Sequence, residues 1–173
     1  AGTSAIMPYY SAPKGKEFEE VGFSFNKAMI GDLLQSKLGF HGIINSDTGP
    51  IEMMPWGVEK LSLEERYQKA LHAGVDIFSG AADPTTLIEV VKKGMVSEAR
   101  INQSVAKLLT EKFELGLFEN PYVEVNQHDD LAHAENLAFQ EASKGAVLLK
   151  NNREVLPLNS LYTSMAIIGE DAV

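Results

Sequence analysis

Asp47 closes the run Gly42-Ile43-Ile44-Asn45-Ser46-Asp47 and is followed by Thr48-Gly49-Pro50. The short β-branched stretch predicts a strand from His41 to Ser46, and the turn formers after it put Asp47 at the strand's carboxyl end. In parallel α/β architectures the loops beyond the carboxyl ends of the strands build the site. A carboxylate at that address can serve as a nucleophile, a general base or a metal ligand. The bland alternative is an Asp that only caps a turn through its side chain. Met7 and Tyr10 lie just past a first short apolar strand over residues 3–8, on the same face as Asp47 if the strands run parallel. The Tyr10 hydroxyl could hydrogen-bond a substrate or the carboxylate, or the ring could be half-buried packing. Trp56, the only tryptophan, lies in the loop after Asp47. An aromatic face there can stack on the C–H face of a pyranose ring; packing against the rim of a barrel is the alternative.

Other groups have plainer readings. Asp76 sits inside a strand and reads as a satisfied structural carboxylate, and Asp83 precedes Pro84 as a helix cap. The four histidines, His41, His72, His128 and His133, have no metal-ligand spacing. No metal and no cofactor are implied. With no cysteine, thiolate zinc sites, disulfides and thiol nucleophiles are excluded. Gly39-Phe40-His41-Gly42 is not a phosphate loop, because it precedes a strand rather than a helix and no Lys-Ser or Lys-Thr follows.

The elements that must hold these residues alternate. After the first strand, Ser24 is expected to cap a helix with Met29, Ile30, Leu33, Leu34 and Leu38 at helical spacing, stopped by Gly39. Beyond the Asp47 strand, Ser62-Leu63-Glu64-Glu65 is a capping box opening a helix that runs to Gly74. Val75 to Phe78 reads as a third strand. Asp83-Pro84 starts a helix with Leu87, Ile88 and Val91 inward, and Ser97 starts another with Ile101, Val105, Leu108, Leu109 and Leu115 as its stripe. Alternating strands and helices argue for parallel βαβ units with right-handed crossovers. Three strands fit part of a (β/α)8 barrel or part of an open sheet. After Leu117 the pattern changes. Residues 118–130 read as a linker, and 131–173 as a further unit with a helix near 131–144 (Leu137, Ala138 and Ala142 inward) and strands at Val147–Lys150 and Met165–Gly169. The chain opens without an initiator Met and ends four residues after an apolar strand, so a fragment of a longer protein is expected.

Composition narrows the partners. Of 173 residues, 45% are hydrophobic and 23% charged, a globular balance. Fifteen basic against 24 acidic residues give a net charge of −9. A chain this acidic, without a basic block, lacks the positive face that nucleic acid or anionic membrane requires. No apolar run approaches the roughly 20 residues of a membrane span.

The run Lys37-Leu38-Gly39-Phe40-His41-Gly42-Ile43-Ile44-Asn45-Ser46-Asp47 resembles the nucleophile segment of glycoside hydrolase family 3, the family of β-glucosidases, β-xylosidases and related exo-acting enzymes. The resemblance continues in register. Ala73-Gly74-Val75-Asp76 is similar to the family's next strand, and Lys112 to Tyr122 to the segment closing its barrel domain. Glu141 to Lys144, Val147 to Asn151 and Leu156-Pro157-Leu158 are similar to the entry to its second domain, an α/β sandwich. Met7 and Tyr10 match its Met-x-x-Tyr near the substrate. One departure is Thr48, where the family has Trp after the nucleophile; Trp56 could stand in from the loop.

The resemblance implies an α/β chain. Residues 1–117 would be the carboxyl-terminal part of a (β/α)8-like barrel carrying the nucleophile, 118–130 a linker, and 131–173 the start of an α/β sandwich. It implies part of a retaining exo-β-glycosidase, β-glucosidase above all. Asp47 would be the nucleophile, and Tyr10, Met7 and Trp56 would touch substrate. The partners would be a small glycoside or oligosaccharide and the remainder of the enzyme's own barrel and second domain, with no nucleic acid and no membrane. The acid/base Glu and several sugar-gripping residues would lie outside these 173 residues. The location would be periplasmic or secreted. Two rivals remain: a carbohydrate-binding or inactive paralogue, supported by Thr48 and opposed by the intact Ser-Asp, and a phosphate-binding α/β domain, which lacks its glycine-rich loop.

Overall fold

The computed structural model describes residues 2–15, 17–123 and 131–170. The chain divides into two compact units, 1–122 and 123–173. The first is α/β. Three strands, β1 (Ala5–Ile6), β2 (Ile43–Thr48) and β3 (Ile77–Ser79), form one sheet in the order β1-β2-β3. Both pairings are parallel, with Ala5 opposite Ile43 and Asn45 opposite Ile77. Each crossover carries helix, as parallel strands require.

The first crossover holds a 3-10 turn at Phe23–Phe25 and a π-helix at Ala28–Lys37. Here the sequence expectation needs correction. Ser24 does not cap the helix; its hydroxyl is buried and donates to the Ser46 carbonyl at 2.6 Å. Asn26 takes the capping role, its Oδ1 accepting the Met29 N–H at 3.1 Å. Only Ile30 of the expected apolar stripe is buried. Turns that close at i+5, such as Leu38 N–H to the Leu33 carbonyl, carry residues three and four apart off a single face.

The second crossover is α1 (Leu63–Ala73). Its capping box forms: Ser62 accepts the Glu65 N–H and the Glu65 carboxylate accepts the Ser62 N–H at 2.7 Å. Tyr67, Ala70, Leu71 and Ala73 face the core. Gly74, at φ 120°, ends the helix in a conformation a side chain resists. The core gathers these residues with Phe25, Ile30, Ile44, Val75 and Val90.

α2 (Thr85–Lys92) and α3 (Glu98–Glu114) follow β3. Asp83 Oδ1 accepts the Thr85 N–H, and Ser97 caps α3. In α2 the fully buried residue is Val90, with Leu87 packed beside it, while Ile88 is exposed. In α3 Ile101 packs on the core, but Val105, Leu109 and Leu115 are exposed. α3 docks instead through polar side chains spaced 100, 104 and 107. Arg100 donates to the carbonyls of Leu71 and Val75, at 3.0 and 2.8 Å. Ser104 donates to Asp76 at 2.6 Å, and Lys107 to Asp76 and to the Gly42 carbonyl.

The second unit contains α4 (Leu131–Gly145) and a 3-10 turn at Asn152–Glu154. None of its described residues is buried, so Leu137, Ala138 and Ala142 are not inward. Residues 147–150 and 165–169 are not strands. A strand exists only by hydrogen bonding to a neighbour, and among the described residues neither segment has one. Part of the expected linker, 124–130, lies outside the described residues, as does His128. Among the described residues no helix is long and apolar enough to cross a membrane.

Candidate active site

Asp47 is the penultimate residue of β2, at its carboxyl end. The strand there departs from regular pairing. Asn45 lies opposite Ile77 and Thr48 opposite Ser79, so three steps on β2 match two on β3. The extra residue is a β-bulge, a device that re-aims a side chain. Asp47 adopts φ 71°, the left-handed region that Asp visits more readily than most residues.

Side chains hold this backbone where the ladder does not. Asn45 Oδ1 accepts the Asp47 N–H at 3.2 Å, and the Ser46 hydroxyl donates to the Asp47 carbonyl at 2.7 Å. Ser79 joins both: its hydroxyl donates to Asn45 Oδ1 at 2.7 Å, and its N–H donates to Ser46 Oγ at 3.2 Å. The Ser24 hydroxyl holds the Ser46 carbonyl. The Asp47 carboxylate itself accepts the Thr48 N–H through Oδ1 at 2.7 Å.

Tyr10 lies against this turn. Its hydroxyl donates to the Thr48 carbonyl at 2.7 Å. The phenol is held above its ordinary pKa, first by desolvation and then by hydrogen bonding to, and charge repulsion from, Asp47. The Tyr10 ring meets Trp56 edge to face, with centroids 5.8 Å apart. Gly22 and Phe23 stitch the two aromatic loops together, donating to the Trp56 carbonyl at 2.9 Å and the Tyr9 carbonyl at 3.3 Å. Arg66 on α1 anchors the Trp56 loop, its guanidinium donating to the carbonyls of Leu61, Ile51 and Glu59 at 3.0–3.1 Å. Trp56 keeps 45% of its surface exposed and borders an open cavity of about 500 Å³ shared with Lys14, Glu20 and Glu59.

The sequence-predicted residues therefore divide. Asp47, Tyr10 and Trp56 come together, Tyr10 bridging the other two. Met7, directly after β1, is 59% exposed. Thr48 contributes through its backbone, whose N–H holds Asp47 and whose carbonyl holds Tyr10. Asp76 is a satisfied structural carboxylate. Buried, it accepts from the Ile44 N–H, Ser104 and Lys107 at the opposite end of β2. A cavity of about 750 Å³ opens there, away from Asp47. Sequence reasoning missed Asn45, Ser46 and Ser79. The available signal was a polar pair inside an apolar strand next to the candidate carboxylate, with a Ser at the matching end of the next strand. Among the described residues no three His, Asp or Glu side chains gather as a metal would require.

The arrangement presents one carboxylate on a strand end tied by side-chain hydrogen bonds, a hydroxyl beside it and an aromatic face against that tyrosine. Residues 1–111 match the model of the glycosyl hydrolase family 3 N terminal domain. The chain is 44% identical to β-glucosidase C of Emericella nidulans, over 91% of this chain and 28% of that protein. It is 40% identical to a periplasmic β-glucosidase/β-xylosidase of Dickeya chrysanthemi, again over 91% and 28%. It thus spans 28% of the length of each. The fold is similar to that of a β-glucosidase from Listeria innocua solved in complex with isofagomine. The TM-score is 0.69 at 25% identity, covering 91% of this chain and 22% of that one.

Proposed function

The chain belongs to glycosyl hydrolase family 3, and from that membership we propose that its 173 residues are the nucleophile-bearing part of a longer retaining exo-β-glycosidase. The observation that carries this is Asp47 at the carboxyl end of β2, set on a bulge beside the Tyr10 hydroxyl. Residues 1–117 form the last part of a (β/α)8-like barrel, 118–130 link, and 131–173 begin an α/β sandwich. The sheet order β1-β2-β3, parallel throughout, supports a barrel segment, because a singly wound barrel adds its strands in chain order.

In the proposed reaction, a substrate's terminal β-linked sugar sits over Asp47, with its ring near Tyr10 and its aglycone toward Trp56. The ionised carboxylate attacks the anomeric carbon. The bond from that carbon to the leaving oxygen breaks, and an acid elsewhere in the full protein protonates that oxygen. Water, deprotonated by the same group, then cleaves the glycosyl ester, frees Asp47 and returns the β configuration. Thr48 N–H on Oδ1 steadies one carboxylate oxygen and leaves the other for the attack. Tyr10, held protonated, donates rather than repels. The acidic surface suits neutral sugars, and the Dickeya relative supports a periplasmic or secreted setting.

The test is the anomeric form of the first product released from an aryl β-glucoside by the full-length enzyme, followed by NMR before mutarotation. Retention is expected, with turnover lost in Asp47→Asn. An inverted product, or turnover surviving in Asp47→Asn, would refute the proposal.

A further inference from the structure

We infer that Asn45, Ser46 and Ser79 are positioning residues that hold Asp47 in its left-handed backbone conformation and so aim its carboxylate. This deepens, and rests on, the reading of Asp47 as nucleophile. Both peptide groups of Asp47 are bonded by side chains rather than by a neighbouring strand: its N–H by Asn45 Oδ1 and its carbonyl by the Ser46 hydroxyl. Regular pairing could not supply these bonds, because the bulge between Asn45 and Thr48 takes this stretch out of register with β3. Ser79 then ties both holders to the neighbouring strand, through its hydroxyl to Asn45 and its N–H to Ser46. Its own carbonyl accepts the Gly49 N–H at 2.9 Å, closing the far side of the turn.

A non-glycine residue at φ 71° is not the conformation a free chain prefers, and it persists only where its surroundings over-determine it. Ser46 is fully buried, so its hydroxyl has no water to exchange with. Loosening the clamp lets Asp47 relax toward extended backbone. That swings the carboxylate off the line of attack while leaving Tyr10 and Trp56, the groups proposed to meet the sugar, in place. A small misplacement of a reacting group costs about 10²-fold in rate. The expected signature is therefore a fall in kcat with little change in KM.

The experiment uses the full-length enzyme and an aryl β-glucoside. Ser79→Ala removes only the hydroxyl, Ser79→Thr restores it, and Asn45→Ala removes the acceptor. Ser79→Ala and Asn45→Ala should each lower kcat about 10- to 100-fold, with KM within about threefold and melting temperature nearly unchanged for Ser79→Ala. Ser79→Thr should recover most of the rate. Unchanged kcat in Ser79→Ala would overturn the inference. So would a loss that Ser79→Thr does not rescue, or one that tracks a fall in melting temperature. Asp47→Gly with added azide is the separate control. Azide should take the carboxylate's place at the anomeric carbon and restore turnover as the glycosyl azide of inverted configuration. Failure of that rescue would remove the nucleophile assignment itself, whatever Ser79 does.

Discussion

Replacing Asp47 by Asn exchanges one carboxylate oxygen for an amide nitrogen and keeps the acceptor that Thr48 N–H needs. The fold should survive, while turnover in the full-length enzyme falls by about 10³-fold or more, because an amide cannot form the glycosyl ester. The same variant tests the link to Tyr10. Desolvation and Asp47 both raise the phenol's pKa, so its neutral form is favoured in the fold. Removing the negative charge should lower that pKa toward the ordinary tyrosine value, read by ultraviolet difference titration against Tyr10→Phe. A phenol that titrates no lower in Asp47→Asn would deny the contact. At this scale the sequence was readable where chemistry is local. Asp47 was placed by the turn formers after it, and Tyr10 by its distance from a short strand. Asn45, Ser46 and Ser79 left only a faint signal, polar residues among apolar strand positions, because the contacts between them depend on a bulge, and a bulge is a relation between two strands rather than a pattern in one.

Elements were legible where a cap declared them, as at Ser62 and Ser97, but their buried faces were illegible where polar groups do the docking. α3 carries Arg100, Ser104 and Lys107 on the face that meets the Asp76 carboxylate and the carbonyls of Gly42, Leu71 and Val75, so its apolar residues misled. The π-helical winding of 28–37 defeated a stripe drawn at α-helical spacing. Three outcomes follow for the elements. Ser62→Ala removes half of the capping box and should cost about 1 kcal/mol, measured by denaturant unfolding. Asp76→Ala strips the buried partner of Lys107 and Arg100 and should cost about 3 kcal/mol, against near-neutral effects for the exposed pair Lys92–Glu89. Arg66→Met frees three carbonyls of the loop that carries Trp56. Since Trp56 is the only tryptophan, its emission should move to longer wavelength as the loop loosens. An unshifted spectrum would mean that the Gly22 and Tyr10 contacts suffice.

The whole molecule sets what these parts can do together. The three strands and their parallel direction were legible because short apolar runs alternate with helices, an arrangement that parallel sheets impose, while their order came only from the structure. The second unit was not, because Val147–Lys150 and Met165–Gly169 have strand composition but no partner strand among the described residues, and composition alone does not pair a strand. The purified 173-residue chain should not turn over an aryl β-glucoside at a useful rate, since general acid help is worth about 10²–10⁴ and the proposed acid lies outside it. Robust turnover by that chain would require a carboxyl within it, such as Glu52, to act as the acid. The central claim, that Asp47 attacks the anomeric carbon, is tested most directly by trapping the glycosyl ester. An activated 2-fluoro β-glucoside forms the ester and then stalls, because the fluorine disfavours the oxocarbenium-like transition state of its hydrolysis. After digestion of the full-length enzyme, mass mapping should find the sugar on the peptide containing Ile43-Ile44-Asn45-Ser46-Asp47, attached at Asp47. Sugar on any other carboxylate, or no covalent adduct from an enzyme that is active on the unfluorinated glucoside, would contradict it.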